Sequence, residues 1–102
     1  MNLTNLQIKR LRTESQRLKL KPVVIIGHNG LSDNVQKQID SALGFHELVK
    51  IRIPSLEKTT KKSLTDSICT HHQASLIQSI GHVIVVYRYN DKSDRFGKIL
   101  SN

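Results

Sequence analysis

The sequence predicts an α/β fold, a two-layer sandwich in the order α-β-α-β-α-β-β with a mixed four-stranded sheet. Three observations predict it. Val23-Val24-Ile25-Ile26 is a β-branched apolar run that leads into Gly27-His28-Asn29-Gly30 and then an amphipathic stretch, the pattern of strand, tight loop and helix. Residues 47–53 alternate apolar and polar after that stretch, as a second strand does. Ser75–Ile80 and Val83–Arg88 are β-rich runs separated by Gly81-His82, a pair suited to a type II′ hairpin turn. Strands alternating with helices call for right-handed crossovers, so the first two strands are expected to be parallel and the hairpin to add an antiparallel one.

The elements follow in chain order. Residues 3–18 form the first predicted helix. Thr4 is its candidate N-cap with Gln7 completing a capping box, and Leu3 and Ile8 occupy the positions of a hydrophobic staple. Ile8, Leu11, Ser15 and Leu18 share one face, and the remainder of the helix is basic. Lys19-Leu20-Lys21-Pro22 is a connector, because Pro22 disfavours helix for Lys21. The first strand, Val23–Ile26, does not alternate, which predicts burial on both sides or a central place in the sheet.

Ser32 is the expected N-cap of a second helix over 32–43, with Val35, Ile39, Ala42 and Leu43 as its apolar face and Gly44 as its stop. In the second strand Val49, Ile51 and Ile53 point one way and Leu48, Lys50 and Arg52 the other, so one face is covered and the other at least partly wet. A third helix is expected from Ser55 to about His72. Residues 90–102 carry no periodic pattern and read as a polar C-terminal tail beyond a domain spanning 1–89.

Charge narrows the partner. Of 102 residues, 16 are Lys or Arg and 8 are Asp or Glu, giving a formal net charge of +8. That balance in a small domain is the electrostatic footprint of nucleic-acid binding. It is concentrated: residues 1–21 hold Lys9, Arg10, Arg12, Arg17, Lys19 and Lys21 against Glu14, and residues 50–62 hold Lys50, Arg52, Lys58, Lys61 and Lys62 against Glu57. Cys69 is the sole cysteine, so an intrachain disulfide is excluded. No apolar run approaches the roughly 18–20 residues of a membrane span. The N-terminus lacks an apolar signal region, and a cytoplasmic location is expected.

The loop Gly27-His28-Asn29-Gly30 carries the chemistry. Glycines permit close approach of a phosphate, and the N-terminus of the helix that follows favours negative charge. A tight strand-to-helix turn needs glycine for the same steric reason, so the loop alone decides little. It lacks the Gly-Lys-Ser/Thr ending of a P-loop. Lys21, Lys50, Arg52 and Arg88 are expected to join it in one patch on the open sheet face, with Lys58, Lys61, Lys62 and Arg12 extending the footprint. His28 is the histidine assigned a contact. The five histidines form no metal-ligand spacing, and no cofactor or nucleophile motif is present. Only Tyr87 and Tyr89 lie where a base could stack, so recognition is expected to rest on backbone and shape.

Three segments resemble one family. Lys21-Pro22 through Gly30-Leu31 is similar to the Lys-Pro-hydrophobic-Gly-x-x-Gly signature of the CRM domain, found in chloroplast RNA-splicing factors and small bacterial YhbY-like ribosome-associated proteins. His46-Glu47-Leu48-Val49-Lys50-Ile51-Arg52 resembles its His-Glu-Leu-hydrophobic-Lys segment, and Ile80-Gly81-His82 through Tyr87-Arg88 its closing hairpin. The chain departs from that pattern at Ser15-Gln16-Arg17 and in a longer connector before Lys21.

The resemblance implies a fold similar to the C-terminal domain of the third translation initiation factor, with strand order one-two-four-three and helices on one face. It also implies a protein that binds ribosomal RNA on the large-subunit precursor; with no catalytic motif in the chain, a non-catalytic monomer is expected. Two other readings compete on the residues alone. One is a small enzyme holding a phosphorylated metabolite in the loop, and the other is an interaction subunit docking an acidic protein.

Overall fold

A computed structural model describes residues 2–101. The elements are α1 (Asn5–Arg17), β1 (Val24–Ile25), α2 (Asp33–His46), β2 (Leu48–Arg52), α3 (Lys58–His72), β3 (Ser75–Ile80), β4 (Val83–Tyr87) and a final turn of helix, α4 (Gly97–Leu100). The sheet order is β1-β2-β4-β3, with β1 parallel to β2 and the other pairs antiparallel. The α/β class, the mixed four-stranded sheet and the strand order all match expectation.

Local chemistry explains the ends of the elements. The Thr4 hydroxyl accepts from the Gln7 N–H at 3.1 Å and the Gln7 side chain accepts from the Thr4 N–H at 2.8 Å, so the capping box is formed. Ser32 caps α2 by accepting from the Val35 N–H at 3.3 Å. Gly81 sits at φ +57 while His82 stays out of the left-handed region, as a type II′ turn requires.

The core has two halves on opposite faces of the sheet. Val24, Ile26, Val49, Ile51, Ile53, Ile84 and Val86 face α2 and α3, where Ile39, Leu43 and Ile68 meet them. On the other face Leu48, Ile77, Val85 and Tyr87 pack against Leu11 of α1 and Phe96 of the C-terminal segment. The layering is therefore fuller than helices on one face: α1 and the C-terminal segment cover part of the second face. Leu48 and Tyr87 are fully buried there, at 2% and 1% exposure. The alternation of β2 already placed an apolar residue, Leu48, on that face.

Three further expectations are corrected. The first strand is an edge, not a centre: Val24 and Ile26 are buried while Val23 and Ile25 are 51% and 65% exposed. Its unbroken apolar run hides a true alternation. The second helix does not stop at Gly44. It continues to His46 and ends at Glu47, a non-glycine residue at φ +64. Gly44 lies inside the helix, and a Cβ there would stand at ordinary contact distance, 3.7 Å, from the Arg88 guanidinium.

The C-terminal segment is not a loose tail. Glu47 is fully buried, and its carboxylate accepts from the Ser93 hydroxyl at 2.5 Å, the Arg95 N–H at 2.9 Å and the Asn90 N–H at 3.4 Å. Asn90 donates to the Gly44 carbonyl at 3.0 Å, and Gln7 and Arg10 of α1 donate to the carbonyls of Leu100 and Ile99. Periodicity in 90–101 does not signal this, because the holding is shared between Phe96, the partly buried Ile99 and Leu100, and a set of polar bonds.

Gly44→Ala is expected to raise stability by about 0.5–1 kcal/mol, since the site is helical with ordinary contact distance for the new methyl. Urea unfolding measures it. Glu47→Ala is expected to cost about 1–3 kcal/mol by removing the acceptor of three part-buried donors, and hydrogen exchange should show faster exchange at the Arg95 amide.

Burial and the charge of Glu47 push the Tyr87 phenol up to about 12. The unfolded chain ionises first, so stability should fall as pH rises from about 10 to about 12. A spectrophotometric titration in which the phenol of Tyr87 ionises near 10 in the folded protein would contradict this.

Candidate nucleic-acid interface

The loop between β1 and α2 is held at both ends and open in the middle. The Ile26 N–H donates to the Arg52 carbonyl at 2.8 Å, pinning the entrance to β2. The Gly30 N–H donates to the Gly27 carbonyl at 3.1 Å, and Gly30 takes φ +68, a backbone state that a side chain would strain. A Cβ at Gly27 would meet nothing within 4 Å, so glycine there leaves the backbone bare to solvent. His28 and Asn29 are exposed and make no hydrogen bond among the described residues. The loop runs directly into Ser32 and the first turn of α2, whose N-terminal amides favour an anion.

Beside the loop is a groove of about 390 Å³ lined by Ile25, Gly27, His28, Arg52, Pro54 and His82. Register explains the grouping. Ile25 pairs with Arg52, Arg52 with Val83, and Val83 with Ile80, so these four form one row across the sheet. The row lies on the face that α1 and the C-terminal segment leave open at this end. Ile25 and Ile80 are 65% and 63% exposed. The structure thus brings Gly27, His28, Asn29, Gly30 and Arg52 together and adds His82, which the sequence reading treated only as a turn residue.

The other expected residues separate into distinct places. Lys21 and Lys50 line a second groove of about 600 Å³ between the end of α1, β1–β2 and the C-terminal segment. Arg17, Arg95 and Lys98 line it too. Sequence reasoning missed Arg95 and Lys98 because it set 90–102 aside. Lys58, Lys61 and Lys62 stand on α3 beside β3, and the Lys61 ammonium donates to the Gly81 carbonyl at 2.5 Å. Arg12, on α1, donates to the Ile77 carbonyl at 3.4 Å.

Arg88 does not join the open-face patch. Its guanidinium donates to the Asp40 carboxylate at 2.9 Å, the Asp40 carbonyl at 3.1 Å and the His72 carbonyl at 3.4 Å, locking β4 to α2 and α3 on the covered side. Nor is Tyr87 a stacking platform, because its ring is buried. The accessible aromatics are Tyr89 and Phe45, and Phe45, 67% exposed, carries the Arg95 guanidinium over its ring at 5.6 Å.

Among the described residues no group of three His, Cys, Asp or Glu side chains could hold a metal ion, and no helix is long and apolar enough to cross a membrane. The most perturbed histidine, His72, is buried beside Gln36, whose side-chain oxygen lies 2.6 Å from Nε2. Burial pushes its pKa down, the charges of His71 and Arg88 push the same way, and Asp40 opposes them.

The arrangement, a bare glycine loop leading into a helix N-terminus beside an open groove that holds Arg52, suits an anionic polymer. A family model, the CRS1 / YhbY (CRM) domain, matches residues 3–88. The chain belongs to the CRM domain family. All three segments that resembled it lie inside the match.

A Pseudomonas aeruginosa protein named as a probable RNA-binding protein is 36% identical over 95 residues, covering 93% of this chain and 89% of its own length. A Haemophilus influenzae protein named as an RNA-binding protein is 36% identical over 74 residues, covering 72% of this chain and 75% of its own. A Staphylococcus aureus protein of known solution structure, described as a candidate RNA-binding protein, superposes on this CRM domain with a TM-score of 0.76 at 32% identity, covering 88% of this chain and 92% of the other.

His72 yields a signed prediction. Its native pKa lies below the unfolded value of about 6.5, so its burial costs stability as pH falls below that value. The urea midpoint of the protein should drop between about pH 7 and about pH 5, and His72→Gln should reduce that drop.

Proposed function

We propose that this CRM domain is a non-catalytic RNA-binding protein whose Gly27–Gly30 loop clamps the RNA backbone. The observation that carries the reading is the loop itself. It exposes unshielded backbone at Gly27, offers two unbonded polar side chains, and leads into a capped helix N-terminus. Phosphate oxygens would accept from loop amides and from the first turn of α2, and Arg52 would neutralise the adjacent phosphate. His28 and Asn29 would reach sugar or phosphate oxygens. Lys58, Lys61 and Lys62 extend positive potential along α3, and Arg12 does so on α1. The names of the relatives support RNA as the partner.

The finer reading is that the RNA is ribosomal, on the precursor of the large subunit, and that the protein acts as a monomer in the cytoplasm. Its support is the resemblance of residues 21–31, 46–52 and 80–88 to the small ribosome-associated members of the family. No Phe, Tyr or Trp ring lines its groove, so base stacking there would rest on the imidazoles of His28 and His82 and the backbone contacts would dominate. Folded RNA with an exposed backbone fits such a site better than a specific single-stranded motif does.

Affinity for a structured ribosomal RNA fragment should fall steeply and linearly in a log–log plot against salt; a flat dependence contradicts the clamp. His28→Asp with Asn29→Asp should weaken binding by about tenfold or more, with unchanged circular dichroism, since two carboxylates would face phosphate. Unchanged affinity would reduce the loop to a turn. In a sucrose gradient of cell extract the protein should travel with large-subunit precursors and leave them at high salt.

A further inference from the structure

The groove formed by the C-terminal segment is a site in its own right. Its walls are the end of α1, the connector before β1, the first half of β2 and residues 95–99. Lys19 at φ +51 makes it possible, turning the chain sharply after α1 so that Leu20 and Lys21 form one rim. On the opposite rim Glu47 accepts from the Arg95 N–H at 2.9 Å and fixes the backbone there. The volume, about 600 Å³, falls in the range of about 300–1,000 Å³ typical of small-ligand sites.

The chemistry of the groove is divided. Leu18 and Val23, 44% and 51% exposed, offer an apolar surface with no protein layer over it. Lys21, Lys50 and Arg95 converge around it, and none of them has an acidic side-chain partner among the described residues. Glu14, the acid on the rim, is already paired with Arg17. Arg95 is pre-positioned: its Nε donates to the Phe45 carbonyl at 3.0 Å and its Cζ lies over the Phe45 ring, 5.6 Å from the centroid. The terminal nitrogens of that guanidinium keep their donors for a ligand.

Unneutralised cations over an apolar floor complement a ligand with an anionic group and an apolar face. We propose that this groove takes one unpaired nucleotide of the bound RNA, its base against Leu18 and Val23 and its phosphate among Lys21, Lys50 and Arg95. The inference rests on RNA being the partner. It adds a second contact, separate from the glycine loop, that distinguishes RNA with an extruded base from a continuous duplex.

The test compares two RNA probes on the intact chain: a hairpin of about 20 base pairs and the same hairpin with a single-nucleotide bulge. The native protein should bind the bulged probe about tenfold more tightly. Lys21→Glu with Lys50→Glu should abolish that preference, and these side chains make no hydrogen bonds whose loss could unfold the protein. Arg95→Gln should reduce the preference several-fold. The loop variant His28→Asp with Asn29→Asp should weaken both probes while keeping their ratio.

In nuclear magnetic resonance, adenosine monophosphate should shift the amides of Leu20, Lys21 and Ile99, and inorganic phosphate should shift them less. Equal affinity of the native protein for the two probes, or a groove variant that retains the preference, would overturn the proposal while leaving RNA binding intact. Shifts with an acidic peptide but not with the nucleotide would also overturn it, in favour of a protein occupant. Failure to bind either probe would remove both this proposal and the functional reading beneath it.

Discussion

One buried carboxylate organises the molecule. Glu47 sits where α2 ends and β2 begins, in a left-handed backbone state that costs a non-glycine residue about 1–3 kcal/mol. Its own carbonyl accepts from the Arg88 N–H at 2.9 Å, which closes the end of β4 against the same junction. Its side chain collects three donors from residues 90–95. A buried charge is tolerated only when its hydrogen-bonding capacity is met. Here the C-terminal segment meets it, and in return the segment is fixed over the second face of the sheet. Phe96 then completes a core that Leu11, Leu48 and Tyr87 could not close alone.

That single junction sets the division of the sheet surface. One half of the second face is covered by α1 and the segment that Glu47 holds. The other half, the row from Ile25 through Arg52 to Ile80, stays open beside the glycine loop. The cations are sorted accordingly. Arg52 faces the loop, and Lys21 and Lys50 face the groove whose far wall is Arg95. Arg88, which looked equivalent in sequence, is spent on tying α2 and α3 to β4.

The sequence was most legible where a local rule acts alone. The Thr4–Gln7 box, the Ser32 cap and the Gly81-His82 turn were each readable from a few residues, because their geometry depends only on near neighbours. Strand order came from a family resemblance and not from periodicity. The errors came where distant contacts decide. Gly44 reads as a helix stop, but Glu47 ends the helix because residues 90–95 reward that position. Val23–Ile26 reads as central, yet nothing covers Val23 and Ile25. The C-terminal segment reads as tail because its anchoring partner lies more than forty residues upstream. Of the expected site residues, the loop and Arg52 converge, Lys21 and Lys50 form a second place, and Arg88 belongs to the scaffold.

RNA bound in the proposed way lies against the glycine loop and the open half of the sheet. Ultraviolet crosslinking of the protein to ribosomal RNA, followed by mass spectrometry of the crosslinked peptides, tests it without altering a residue. Crosslinks should concentrate on 27–30 and 50–52, with a further set at the groove around Lys21 and Arg95. Crosslinks confined to the covered side, around Asp40, His71 and Arg88, would contradict it.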